Sequence, residues 1–415
     1  MRVLLTLLFS AWLGACSTLG VLSPLQDGRQ AMLAGEPTQS EAAFAKAITA
    51  IAADDERALI SAGDSARTGA ALVSNDNLRR YRVAPYERLF LHSYQALNYL
   101  ALAQPQAAAV ELRRADAWQR TQALAYAEKI SEAEREGGEL VPSSNADLGA
   151  LDNAAARVRS STQHAGALYL SGLFYEAQDA LNDAFIDYRA AWQAQPSNAQ
   201  LASDTSRLAK HLRFDDPTSR NTPTPSPLSL NQDNSAGDIV VYWERGEIPD
   251  KVAFQLPLIN SRAFTLVSIP YYPNRSTPAA RLSLQLDGQS PLAELLVDTH
   301  ALAARTLREQ LPGIMLRASV RAVAKQQLQR QLNEKSPGLG LLGTIYSLLS
   351  ERPDLRQWSN LPAQVYVTRQ RVSAGDHRLS IVGEQPLTVP VRAGKITLVH
   401  VVTSPRVSYS RIYPL

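Results

Sequence analysis

Two hydropathy patterns divide this chain. Residues 21–213 are rich in Ala, Leu, Gln and Glu and poor in glycine outside turns, a composition that predicts helices. Beyond residue 238 the apolar residues fall in short β-branched runs, at 239–243, 252–259 and 263–270, or alternate with polar ones. Leu282, Leu284 and Leu286 alternate with Ser283, Gln285 and Asp287 before Gly288 turns the chain. Further strands are predicted at 364–371, 377–382, 387–391 and 396–402, and these four read as a small antiparallel sandwich. A helical block separates the two strand groups, from about 298 to 349. Pro312 and Gly313 interrupt it, which predicts two helices, 298–310 and 314–335, or one kinked helix. Residues 336–349 are strongly apolar but too few to span a bilayer. Residues 214–237 are dominated by Pro, Ser, Thr and Asn and read as a linker. The expected fold class is α+β multidomain. An all-α region of helical repeats occupies 16–213, and a mixed domain with an antiparallel sheet or sandwich and inserted helices occupies 238–415.

Within the helical region, 167–196 carries Gly172, Tyr175, Ala184, Tyr188, Ala191 and Pro196. That spacing resembles a tetratricopeptide repeat: small residues let two antiparallel helices approach, aromatics fill the gap, and proline ends the second helix. Residues 86–119 give Ala96, Tyr99, Ala108, Leu112 and Ala115 at matching spacings without the closing proline. A degenerate third unit covers 26–53, around Ala42, Ala43, Ala47 and Ile51, and a further helix is expected over 123–136. The resemblance implies a stack with a concave surface for a peptide or partner protein, with Tyr99 and Tyr175 as candidate partner-binding residues. A second candidate surface is the basic stripe Arg317, Arg321 and Lys325, at i, i+4 and i+8 beside Leu316, Val320 and Val323.

The N-terminus has Arg2, an apolar stretch over 3–13, and then Gly14, Ala15 and Cys16, the sole cysteine of 415 residues. Residues 1–15 have the form of a secretory signal peptide, and a cysteine at the cut resembles the lipobox of bacterial lipoproteins. The resemblance implies a diacylglyceryl group on the Cys16 Sγ and a mature chain that begins there. Several acyl chains together make such an anchor stable. Ser17 stands where an aspartate often retains lipoproteins at the inner membrane, so the expected location is the outer membrane of a Gram-negative bacterium, facing the periplasm.

The formal charge of +3 is unevenly placed. Residues 16–236 hold 20 basic and 26 acidic side chains, and residues 237–415 hold 21 and 13. The basic second half suits an acidic partner or anionic lipid rather than nucleic acid. His92, His164, His211, His300, His377 and His400 form no metal-binding pair, and no serine-nucleophile elbow or phosphate loop occurs. No catalytic residue, metal or cofactor is expected. Residues 75–100, 311–325 and 354–375, with the lipobox, together resemble a group of uncharacterised Gram-negative lipoproteins with tetratricopeptide-like N-terminal regions. The expected function is that of a non-enzymatic adaptor, lipid-anchored, that binds a periplasmic or envelope protein. The alternatives are a regulator of peptidoglycan synthesis or envelope assembly that binds a cell-wall synthase, and a hydrolase of envelope polymers.

Overall fold

The structure, a computed structural model, describes residues 20–61, 80–138, 148–216, 218, 235–260, 263–273, 277–335 and 353–415. Cys16 and the signal segment, most of the linker, and the apolar segment 336–349 lie outside the described residues.

Helices come first: α1 Leu22–Leu33, α2 Pro37–Ser61, α3 Pro85–Ala101, α4 Pro105–Gly138, α5 Gly149–Ala155, α6 Ala165–Ala177, α7 Leu181–Ala194 and α8 Ala199–Leu212. Pro37, Pro85 and Pro105 open α2, α3 and α4, where a missing N–H leaves no bond unmade. The helix expected over 123–136 is the second half of α4. Three hairpins, α1–α2, α3–α4 and α6–α7, repeat one turn geometry. Gly35, Ala103 and Asp179 adopt positive φ. The N–H of the following residue then returns to the carbonyl five positions back: Glu36 to Ala31, Gln104 to Tyr99 and Ala180 to Tyr175, at 2.8–2.9 Å. The hairpins also repeat one packing position. A Cβ on Gly172 would sit 2.8 Å from the Tyr188 ring, and one on Gly28 would collide with Phe44, the same sixteen positions ahead. Ala96 and Leu112, both buried, take the corresponding places in α3–α4.

Sheets follow: β1 Ala236–Arg245, β2 Val252–Asn260, β3 Ala263–Tyr271, β4 Arg281–Ser283, β5 Gln285–Leu286, β6 Leu292–Asp298, β7 Gln364–Ser373, β8 Gly375–Ser380, β9 Leu387–Val391, β10 Ile396–Thr403 and β11 Ser408–Pro414. A six-stranded sheet runs β11-β10-β1-β7-β6-β4, a three-stranded one runs β5-β8-β9, and β2 and β3 form a separate hairpin. Of the four C-terminal strands expected as a sandwich, β7 and β10 lie in the large sheet and β8 and β9 in the small one packed against it. β7 and β10 flank β1, which pairs antiparallel with β7 and parallel with β10. β11, β6 and the edge strand β4 complete the larger sheet, and β6 and β11 were not expected from the alternation.

α9 spans Thr299–Lys335 with Pro312 inside it, so of the two expected arrangements the single helix occurs and the separate helices 298–310 and 314–335 do not. Proline removes one backbone bond. Ala304, Leu307, Leu311, Met315 and Ala318 are buried at helical spacing on both sides of it, and that common packed face carries the helix through.

β1 explains the layering, because both of its faces are covered. Ile239, Val241 and Trp243 pack with Leu379, Val389 and Val391 of the small sheet. Val240 and Tyr242 join a larger cluster with Leu25, Phe44, Tyr94 and Leu173 from the helices. The order is helices, six-stranded sheet, small sheet, and the core is continuous across the change from helix to strand. Trp358, fully buried, presents edges to Phe44 and Tyr94 at ring centroids 5.8 and 6.0 Å.

The helix-facing side of the large sheet also carries Asp238, Glu244, Arg369 and His400, all buried. Glu244 and Arg369 have partners on both layers, and Asp238 and His400 pair with them inside the sheet. Glu244 is ion-paired with Arg29 of α1 and bonded to Tyr94 Oη at 3.1 Å and His400 Nε2 at 2.8 Å. Burial alone would raise its pKa, but Arg29 and His400 outweigh burial and hold it below the usual range. Arg369 donates to Glu176 of α6 twice, at 2.7 and 2.9 Å, and to Asp238 at 2.6 Å. Arg207 of α8 completes the cluster through Glu176 at 2.7 Å and Asp204 at 3.1 Å. Removing one member of such a cluster strands the others in low dielectric, so these contacts fix how the helices sit on the sheet.

Candidate functional site

The inner face of the helical layer is occupied by the chain's own sheet. Among the described residues two clefts of about 390 Å³ are open: one at the rim of the helix–sheet interface beside Arg29 and Val402, and one, richer in charged and tyrosine side chains, between the approach to α3, the start of β2, the end of β3, α9 and the segment after residue 353. The second is in the size range of ligand-binding pockets. Its lining has five cationic side chains, Arg80, Arg82, Lys251, Arg317 and Arg356, against two carboxylates, Glu309 and Asp354. Four tyrosines, Tyr81, Tyr86, Tyr126 and Tyr272, line it as well.

Local structure fixes these groups. Pro85 starts α3, and Glu87 reaches back to the Ala84 N–H at 2.8 Å. Glu87 also accepts from Tyr81 Oη at 2.5 Å and from the Trp358 N–H at 2.9 Å. One carboxylate thereby ties the α3 approach to the 353–358 segment. Burial pushes the Glu87 pKa up, although these donors and Lys251 oppose the shift. Tyr272 Oη donates to Gln357 Oε1 at 3.0 Å, and Gln357 Nε2 donates to the Pro249 carbonyl at 3.0 Å. That chain of bonds ties the end of β3 and the approach to β2 to the same segment. Burial raises the Tyr126 hydroxyl to about 12, with Glu309 adding to the shift.

The two acids are already committed. Asp354 takes Arg356 through both carboxylate oxygens, at 2.8 and 2.7 Å. Glu309 takes Arg305 at 2.7 Å and Ser161 Oγ at 2.5 Å. Lys251 differs. Its Nζ donates to the Arg356 carbonyl at 3.0 Å, and it forms no ion pair among the described residues. Burial lowers its pKa, Glu87 and Asp354 oppose that, and Arg356 adds to it. The cleft thus holds an ammonium with donors to spare on a wall of tyrosine and aliphatic surface.

Of the residues singled out from sequence, Arg317 lines this cleft. Arg321 is half-buried one turn further along α9, and the Lys325 side chain lies outside the described residues. Tyr99 and Tyr175 are not in the cleft. Tyr99 Oη donates to Glu41 Oε1 at 3.1 Å, joining α3 to α2. Tyr175 packs half-buried against the main core. The two do hold equivalent hairpin positions, as their turn carbonyls record. Lys251, Tyr81, Tyr86, Tyr272 and Arg356 were missed as site residues. A signal existed: the stretches 75–100, 311–325 and 354–375 supply Arg80, Tyr81, Arg82 and Tyr86, then Ile314 and Arg317, then Asp354 and Arg356, and all meet here.

His92, His164, His300, His377 and His400 are hydrogen-bonded within the chain, and His211 is exposed. His164 caps α6, its Nδ1 accepting the Ala167 N–H at 3.0 Å, and burial lowers its pKa to about 4. His400 and Glu244 resemble a catalytic pair in contact geometry, but both are 0% exposed, so no substrate reaches them. Among the described residues no His, Cys, Asp or Glu group is arranged to hold a metal, and no helix is long and apolar enough to cross a membrane. Comparison with protein-family models, curated proteins and solved structures finds no match.

Proposed function

We propose that this chain is a non-enzymatic binding protein of the Gram-negative envelope, tethered through an acylated Cys16 to the outer membrane and facing the periplasm. In this reading it belongs with the lipoproteins that its three stretches resemble, and its helical hairpins are diverged tetratricopeptide-like units. The recurring Gly28–Phe44 and Gly172–Tyr188 packing supports that kinship. Its partner is an envelope protein held at the basic, tyrosine-lined cleft, while the inner face of the hairpins serves as the seat of the sheet.

One observation carries this choice of surface. Arg29–Glu244 and Arg369–Glu176 bind the helices to the sheet through charges that are almost wholly buried. A partner could enter that face only by breaking them. The cleft asks for no such cost. Photo-crosslinking in cells tests the assignment, with the photoreactive residue placed at position 82 or 314, or at 99 or 175. Crosslinks to an envelope protein are expected from the first pair and lost in a Cys16→Ala strain. Crosslinks from 99 or 175 alone would return the role to the hairpin surface.

A further inference from the structure

We propose that the cleft takes a single carboxylate from an acidic, otherwise apolar segment of the partner protein, seated on the Lys251 ammonium. The inference rests on the reading that the cleft is the partner site, and it specifies the chemistry that site selects. Charge balance is the first argument. Glu309 and Asp354 are each neutralised by an arginine within the chain, at 2.7–2.8 Å. Lys251 has only the Arg356 carbonyl at 3.0 Å. Glu87 faces Lys251 without touching it, its oxygens taken by Tyr81 and by the Ala84 and Trp358 N–H groups, so no carboxylate of the chain contacts the ammonium.

The donor geometry is the second argument. Arg356 spends its planar fork on Asp354, so the bidentate cradle that favours phosphate is already used. A lysine ammonium is a compact point donor, suited to one carboxylate oxygen. The wall is the third. Pro270, Ala303, Leu307 and Ile314 line the cleft beside the tyrosine rings. Aliphatic and aromatic surface of that kind receives the side chains that flank an acidic residue in a peptide. Arg80 and Arg82, exposed at the mouth, would draw such a segment in and set its rate of arrival rather than its specificity.

Binding would also restore the proton affinity that burial takes from Lys251, so affinity is expected to fall as pH rises through the titration of the ammonium.

The test uses the full chain and ligand-observed NMR with two blocked tripeptides, N-acetyl-Leu-Glu-Leu-amide and N-acetyl-Leu-Gln-Leu-amide, with inorganic phosphate as competitor. The glutamate peptide is expected to bind at least tenfold more tightly than the glutamine one. Lys251→Met, which keeps the aliphatic stem and leaves the hydrogen bonds to buried Glu87 in place, is expected to abolish that difference while melting no lower than the parent. Equal binding of the two peptides overturns the proposal. So does an unchanged preference in Lys251→Met, or displacement of the peptide by an equal concentration of phosphate. If crosslinks still form at positions 82 and 314 while the peptides show no preference, the cleft remains the partner site and only the carboxylate assignment falls. If those crosslinks are absent, the broader reading falls first.

Discussion

The helix–sheet interface and the cleft are built from the same residue types, and they differ in whether the charges are spent. Beneath the sheet, Arg369 meets Glu176 and Asp238, and Arg29 meets Glu244, each with negligible exposure. In the cleft, Lys251 has a lone carbonyl. A closed set of buried charges specifies one packing arrangement, because any other leaves an ion unpaired. An open one holds interaction energy in reserve for something outside the chain. The contrast separates the architecture from the surface proposed to bind.

The strongest way to break this comparison is to open the closed set. Arg369→Met leaves Glu176, Asp204 and Asp238 with Arg207 and the peripheral Arg371, and should cost about 3–5 kcal/mol in urea unfolding. If it costs less than 1 kcal/mol, the interface charges are not what seats the helices. The same variant has a pH signature. Burial raises the Glu176 carboxyl, but Arg369 and Arg207 overcome that and hold it well below the usual range. A depressed folded pKa gives stability that is present above the unfolded value of about 4.3 and lost as pH falls towards the folded one. Arg369→Met should therefore flatten the acid limb of the stability profile below that value.

Asp187 is an exception within the architecture and sharpens the point. It is 2% exposed, and its nearest cation, Arg120, stands off at 3.9 Å. Burial raises its pKa to about 7, with Asp116 adding to the shift and Ser171 and Arg120 opposing it. Here the protonated form is the favoured one. The stability it confers is full below the unfolded pKa of about 3.9 and is lost as pH climbs through 7. Asp187→Asn should thus gain roughly 1–3 kcal/mol at pH 8 and nothing near pH 4. Thermal melts at the two pH values read this directly. A gain at both would mean that packing, not ionisation, is responsible.

The hairpins test the comparison at the level of packing. Gly172→Ala drives a methyl into the Tyr188 ring and should cost about 1–3 kcal/mol. The reverse change at the corresponding place, Ala96→Gly, should cost roughly 1 kcal/mol, mostly through helix propensity. Equal and negligible effects at both would dissolve the proposed equivalence of the hairpins.

Much of this was readable beforehand, for local reasons. Gly172, Tyr175, Ala184 and Tyr188 mark a hairpin because their roles lie within one short segment. β9 falls at 387–391 as expected, since alternation is local too. The Gly28–Phe44 contact went unread because the alanines at 42, 43 and 47 dominate that stretch. The parallel partnership of β1 with β10 was beyond reach, since Asp238 pairs with Ile396 across 158 positions and no local periodicity encodes it. Pro312 left one helix or two undecided for a related reason: its local penalty is legible, and the packed face that overrides it is not. The cleft was glimpsed through Arg317 and the three stretches. Lys251 stands alone in sequence, and only the fold sets its ammonium near Asp354 without pairing them.

The smallest predicted effect is the most discriminating. In Lys251→Met the folded chain loses a cation whose charge burial disfavours, so stability should hold or rise, by no more than about 1 kcal/mol. A lowered lysine pKa disfavours folding while the unfolded chain is charged, and that penalty fades as pH rises towards about 10.4. Any gain should therefore be present at pH 7 and gone above pH 10.5. Arg29→Met is the matched control in the closed set: it leaves Glu244 buried with only Tyr94 and His400 and should destabilise at neutral pH. Opposite signs for the two substitutions would separate a charge kept for a partner from a charge kept for the fold. If both destabilise alike, Lys251 is one more structural ion and the cleft loses its claim to be different.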